Sequence, residues 1–174
     1  KLLKLSKRHK TLLIVGFNYR FFDAIERAKK IVDSGKIGKI NFIRIQHGHG
    51  GRPGYGQEWR MNKTMAGGGV LMDQGVHLLD LVNYFFASPV TKALGVQADL
   101  YWRAGVEDNA FAILQNNAGQ IASLHVSLTQ WKPLFSLDIY GARGYCLVNG
   151  LGKKYGGTEV LTVGIKDKKD EIKE

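Results

Sequence analysis

The sequence predicts an α+β domain built on one sheet. Two observations carry this. Sustained helical spacing of apolar residues falls in the first half of the chain, chiefly in residues 21–33 and 70–86. After Ala87-Ser88-Pro89 the pattern turns to short extended segments separated by turn residues.

In order, residues 1–10 carry Leu2, Leu3 and Leu5 among lysines, the close of an amphipathic helix. Thr11 to Phe17 is a continuous apolar run, the mark of a strand buried on both faces of a parallel sheet. A domain that opened here would give that strand no sheet to join. Residues 1–17 therefore read as the last helix–strand unit of a larger α/β domain, and the sequence as a fragment. Asn18-Tyr19-Arg20 follows at the carboxyl end of the strand, where α/β sheets bind ligands. A cap-and-turn role is equally open, since Asn suits turns.

Phe21, Ala24, Ile25, Ala28, Ile31 and Val32 recur at helical spacing, and Ser34-Gly35 ends the helix. Lys39 to His47 reads as a strand with a break after Phe42. His47 to Arg60 holds five glycines and one proline, and is expected to be a long loop without its own core. Its Arg52, Tyr55, Trp59 and Arg60 offer stacking surfaces and bidentate donors for an anionic or sugar ligand. His47-x-His49 has half the pattern of a metal site, but no carboxylate cluster accompanies it, and no metal is expected. Gly67-Gly68-Gly69 precedes the second helix and offers free N–H groups as an anion seat.

The strands are expected at Val90 to Trp102, Asp108 to Gln115, Gln120 to Gln130, Leu134 to Tyr140, Tyr145 to Asn149 and Val160 to Ile165, connected as a meander. The segment Gln120 to Gln130 alternates cleanly. Ala122, Leu124, Val126 and Leu128 share one face, and Ser123, His125, Ser127 and Thr129 the other, which is either wet or meets another subunit. Residues 166–174 form a charged tail of zero net charge, expected to fray.

Bulk composition excludes several classes. The 174 residues are 44% hydrophobic, enough for one substantial core. No run of 18 apolar residues and no signal-peptide core occurs, so neither membrane nor secretion is indicated. The one cysteine, Cys146, fits a reducing compartment. The formal charge of +10 invites a nucleic-acid reading, but half the surplus lies in Lys1, Lys4, Lys7, Arg8 and Lys10, and no stripe of arginines and aromatics follows. A solvated basic face is the expectation, without nucleic acid as partner.

The chemistry concentrates in residues 70–86. At about 100° per residue, Asp73, His77, Asp80 and Tyr84 form one polar stripe on an otherwise apolar helix. Asp73 and His77, one turn apart, can touch. A carboxylate raises an imidazole pKa and burial lowers it, so the pair can hold His77 near neutrality, where a general acid/base works best. The other reading is a satisfied core histidine with Asp73 facing the helix dipole.

Three stretches together resemble one family. They are Val-Gly-Phe-Asn-Tyr-Arg at 15–20, Gly-Gly-Val-Leu-Met-Asp-Gln-Gly-Val-His-Leu-Leu-Asp at 68–80 and Ile-Tyr-Gly-Ala-Arg-Gly at 139–144. They resemble the carboxyl-terminal domain of the Gfo/Idh/MocA oxidoreductases, the relatives of glucose–fructose oxidoreductase and inositol dehydrogenase. The resemblance runs from about Leu2 to about Gly164, and its most specific motif is Asp73-x-x-x-His77.

It implies a glyceraldehyde-3-phosphate-dehydrogenase-like fold: a large, mostly antiparallel open-faced sheet with helices on one face, after a Rossmann domain. Residues 18–165 would form the substrate-binding and oligomerisation domain, and the open face would make homo-oligomers in the cytoplasm. It implies NAD or NADP as cofactor, His77 as acid/base at a sugar hydroxyl, and Asp73 orienting it or binding a hydroxyl. Asn18 and Arg20 match the segment near the nicotinamide, contacting cofactor and substrate. The loop at 47–60, the stretch 102–109 and Gln130-Trp131-Lys132 resemble the branch acting on nucleotide sugars, with Trp131 a substrate contact.

The family's glycine-rich dinucleotide loop and Glu-Lys-Pro motif are missing from these residues. The chain by itself is therefore expected to bind cofactor poorly and not to turn over. The rival reading is a non-catalytic sugar-binding or assembly module.

Overall fold

The computed structural model describes residues 1–168 and 172–173. Helix α1 (Leu2–His9) buries none of its residues. A single 3-10 turn, Asn18–Phe21, leads into α2 (Asp23–Asp33), which opens on Asp23 and Glu26 as the helix dipole favours. The Glu159 carboxylate accepts from the Ala24 N–H at 3.0 Å and caps that helix from across the domain. A four-residue helix, α3 (Lys63–Ala66), is capped by Asn62. Then a π turn, Leu71–Gly75, runs directly into α4 (Val76–Phe86).

Among the described residues eight strands form one sheet: β1 (Ile40–Gly48), β2 (Val90–Ala98), β3 (Asn109–Asn116), β4 (Ile121–Ser127), β5 (Leu134–Gly141), β6 (Gly144–Leu151), β7 (Tyr155–Ile165) and β8 (Ile172–Lys173). Their order is β2-β3-β4-β1-β5-β6-β7-β8. Every pairing is antiparallel except β1 with β4. The α+β class and the mostly antiparallel, open-faced sheet stand as expected.

The simple meander does not. β1 enters the middle of the sheet and separates β4 from β5. Its Ile43, Ile45 and His47 are all buried, because a bulge between Ile40 and Phe42 corrects the register at the break seen in the sequence. Helix α4 packs on β1 and β4, and α2 on β6 and β7. One sheet face thus joins the core, with Leu78, Leu81, Val82, Phe135, Leu137 and Ile139 at its centre. The other face is uncovered, and Leu94, Val96, Phe111 and Ile113 lie on it at more than half exposure.

Two further expectations are corrected. Residues 11–17 are not a strand: none of the eight strands pairs with them, and Leu12 is 85% and Ile14 72% exposed. A buried strand needs neighbours for its N–H and C=O groups. Here Phe17 and Asn18 instead close local turns onto Val15 and Gly16. In the tail, Ile172 and Lys173 pair with Val163 and Thr162 rather than fraying; residues 169–171 and 174 lie outside the described residues.

Candidate active site

Residues 70–86 are helical, but the π turn changes the predicted stripe. A π turn is wider than an α turn, so the 100° rule fails across it. No hydrogen bond joins Asp73 to His77 among the described residues; Asp73 Oδ2 accepts from Gln74 Nε2 at 3.0 Å, and Asp73 Oδ1 lies 3.6 Å from Arg60 Nε. Asp80, further along the stripe, is buried and paired with Arg20.

The start of this helix is held by Glu107. Its backbone carbonyl accepts from the Val70 N–H at 2.9 Å, and its carboxylate from the Leu71 N–H at 3.1 Å. A Cβ on Gly69 would lie 1.9 Å from the Glu107 carbonyl oxygen, so only glycine fits. Next to the anion seat expected at Gly67-Gly68-Gly69, the protein's own Glu107 carboxylate takes the Leu71 N–H, and the Gly67 N–H is bonded to the Lys63 carbonyl.

His77 and Asp73 are both half-buried and open at the surface. The His77 ring lies flat on the Tyr19 ring, with centroids 4.3 Å apart and planes at 11°, and Phe17 meets its edge at 6.1 Å. Its Nδ1 is buried without a partner. Burial lowers the His77 pKa, and Asp73 and Asp80 only partly oppose this. His77 is thus a neutral imidazole at pH 7, able to accept a proton.

Behind this layer sits a cluster that sequence reasoning largely missed. His47, 2% exposed, meets the Tyr155 ring at 4.4 Å and the Tyr19 ring at 5.8 Å. Neither of its ring nitrogens has a hydrogen-bond partner among the described residues, and burial, aided by His49, His77 and Lys154, pushes its pKa down to about 3. His49 Nδ1 accepts from the Gly51 N–H at 3.0 Å, and the ring stacks near Tyr155. Burial lowers the His49 pKa against the pull of Asp73. The alternation Ile43, Ile45, His47 was the signal that His47 faces inward. Nothing local in the sequence points to Tyr155 or Gln74.

The remaining predicted residues divide. Asn18 is exposed beside Tyr19. Arg20 turns away and forks onto Asp80, Nε to Oδ2 at 2.7 Å, with its guanidinium over the Tyr84 ring. That charge is engaged in joining the 18–21 turn to α4. The loop at 47–60 does have a core: Tyr55 is buried against Trp102 and His49, and burial pushes its phenol pKa up to about 12. Arg52 pairs with Glu58 at 2.7 Å, and Arg60 sits over the Trp59 ring between Glu58 and Asp73. Trp131 is exposed and meets the edge of Tyr101. Arg60, His49 and Tyr55 therefore gather toward Asp73, whereas Arg20 does not.

A cleft of about 530 Å³ lies elsewhere. It lies on the uncovered sheet face, between Arg44, Leu94, Val96, Phe111, His125 and Asp138. It is the concavity of a bare sheet: its His125 stacks on Phe111, its Asp138 pairs with Arg44, and no hydrogen bond among the described residues joins the two.

Comparison with known proteins bears on the family and the fold. Residues 25–146 match the family model described as the GFO/IDH/MocA C-terminal domain. Levoglucosan dehydrogenase of Pseudarthrobacter phenanthrenivorans is 36% identical over 73 residues, 41% of this chain and 19% of that protein. The 1,5-anhydro-D-fructose reductase of Ensifer adhaerens is 26% identical over 153 residues, 86% of this chain and 46% of that one. A solved levoglucosan dehydrogenase in complex with NADH and levoglucosan superposes with a TM-score of 0.86 at 20% identity, over 99% of this chain and 49% of that one. The chain spans less than half the length of these relatives. With the family model covering most of its residues, the chain belongs to the carboxyl-terminal domain family of the Gfo/Idh/MocA oxidoreductases.

Proposed function

We propose that residues 18–165 form the substrate-binding domain of an NAD(P)-dependent oxidoreductase acting on a sugar or nucleotide-sugar hydroxyl, with residues 1–17 closing a dinucleotide-binding unit. The observation that carries this is His77: a neutral, half-buried imidazole beside Asp73, held against a rigid aromatic platform at the surface. The relatives named above, a levoglucosan dehydrogenase and an anhydrofructose reductase, act on sugars by name.

In this reading a substrate hydroxyl hydrogen-bonds His77, which takes its proton as the carbon gives up hydride. Bound nicotinamide supplies the hydride acceptor. Asp73 offers its carboxylate to a neighbouring hydroxyl and favours the imidazolium that forms. Arg60 steadies Asp73, while Arg52, Tyr55, Trp59 and Trp131 line the approach for the rest of the sugar. These 174 residues contain no glycine-rich dinucleotide loop. What they offer a nicotinamide is the exposed Asn18 beside Tyr19, while Arg20 serves by holding that turn to Asp80. The chain alone accordingly binds cofactor poorly and does not turn over. The uncovered sheet face associates with a second copy, and the protein works in the cytoplasm. No helix among the described residues is long and apolar enough to cross a membrane.

In the intact protein, His77→Ala lowers kcat by about 10². Unchanged turnover at saturating substrate would remove His77 from the proton step. A second reading, a sugar-binding or assembly module without chemistry, draws on the exposed apolar sheet face. Sugar binding with no nicotinamide binding and no turnover in the intact protein would favour it.

A further inference from the structure

Tyr19 reaches both members of the Asp73–His77 pair by different parts of one side chain, His77 directly and Asp73 through Gln74. Its ring carries the His77 imidazole at 4.3 Å and 11°. Its hydroxyl lies 2.8 Å from Gln74 Oε1, and Gln74 Nε2 lies 3.0 Å from Asp73 Oδ2. The direction of this chain is set by chemistry. An ionised carboxylate only accepts, so Gln74 must present its NH₂ to Asp73 and its carbonyl to Tyr19. The phenol must then donate. It remains protonated to do so, since burial, with Tyr155 and Asp73 nearby, raises its pKa further above neutrality.

The platform itself is fixed. Tyr19 is 5% exposed, and Phe22 and Phe135 meet its ring edge-on at 6.0 and 6.1 Å. A ring so enclosed has one orientation, and everything attached to it inherits that orientation. No hydrogen bond joins Asp73 to His77 among the described residues, so their mutual geometry has to be imposed from outside the pair.

We propose that Tyr19 is the positioning residue of this site, holding the imidazole by its ring and, through Gln74, the carboxylate by its hydroxyl. The inference rests on the reading of His77 as the proton acceptor. It adds that the relay Tyr19–Gln74–Asp73 acts as one unit and that the ring covers one face of the His77 imidazole and keeps water from it.

The test is a double-mutant cycle with an independent titration. In the intact protein, Tyr19→Phe keeps the ring and cuts the relay, and Gln74→Leu cuts it at the next link. Each lowers kcat by about tenfold, and the double variant loses no more than either single, because interactions acting as one unit are non-additive. Multiplying losses would overturn the relay. The histidine Cε1 resonances, with His77 assigned through His77→Ala, give the second readout. Tyr19→Phe leaves the His77 midpoint in place. Tyr19→Leu admits water and moves it upward toward the ordinary histidine value. An unmoved midpoint in Tyr19→Leu, or an equal move in both, would overturn the role of the ring. Should Tyr19→Leu not fold, the Phe and Leu cycle still decides the relay. Full turnover in His77→Ala would instead sink the proton-transfer reading, leaving the titration to report on Tyr19 separately.

Discussion

Lowering the pH should destabilise this domain through His47, and the size of the effect follows from its surroundings. His47 is 2% exposed, both ring nitrogens lack partners, and its pKa is pushed down to about 3. In the unfolded chain it titrates near 6.5, as an ordinary histidine. Below that value the unfolded state binds a proton that the folded state refuses. Stability is therefore complete above about pH 6.5 and declines as pH falls toward 3, by about 1.4 kcal/mol for each pH unit. Between pH 6.5 and 5 the loss is about 2 kcal/mol, a large part of the 5–15 kcal/mol typical of a domain. The assay is urea unfolding followed by circular dichroism at pH 7, 6 and 5, on the natural sequence and on His47→Leu. Leucine fills much of the same space, needs no hydrogen bonds and does not titrate. His49 and His77 are also lowered by burial, but they are common to both proteins and cancel in the difference. The variant should show a slope shallower by about 1.2 kcal/mol per pH unit between pH 6 and 5, and by about half that between pH 7 and 6. Parallel slopes would show that His47 is not held neutral, and the inward-facing cluster would need another account.

Further outcomes follow from other contacts. Gly69→Ala places a Cβ 1.9 Å from the Glu107 carbonyl oxygen, which is backbone and cannot step aside; thermal melts should show a loss of about 3 kcal/mol, and a neutral result would refute the clamp. Asp108 accepts from the Leu100, Tyr101 and Trp102 N–H groups, so Asp108→Ala leaves three donors bare and should cost about 3 kcal/mol in urea unfolding. Burial pushes the Asp108 pKa up, but these bonds and Asn109 outweigh it and hold the carboxyl below its usual range; its contribution is present above about pH 4 and disappears as pH falls through the lower folded value. On the uncovered face, Phe111→Lys should shift the protein toward monomer in light scattering, and an unchanged mass would remove that face from self-association.

Which parts of this molecule could be read in advance depends on how far apart the responsible residues are. The inward face of β4 was legible because alternation is local: Ala122, Leu124, Val126 and Leu128 are all buried as their spacing requires. The place of β1 was not. Its pairing with β4 joins Phe42 to Ile121, and no local signal distinguishes that partner from the next strand along. The same division runs through the site. Helical spacing was enough to select Asp73 and His77 as candidates for proton chemistry, and the structure places both half-buried at the surface. Their mutual arrangement was out of reach, because the π turn begins where Glu107 grips Val70 and Leu71, and that grip spans more than thirty residues. Tyr19 lies farther still from Gln74 in sequence, yet it connects the pair. Helical wheels assume that a helix is governed by its own residues, which holds on a free surface and fails where distant backbone holds the first turn. An active site favours such exceptions, since a carboxylate and an imidazole that simply hydrogen-bonded each other would have less capacity left for a substrate. Keeping them apart requires supports from elsewhere in the fold, and those supports are what one-dimensional spacing cannot display.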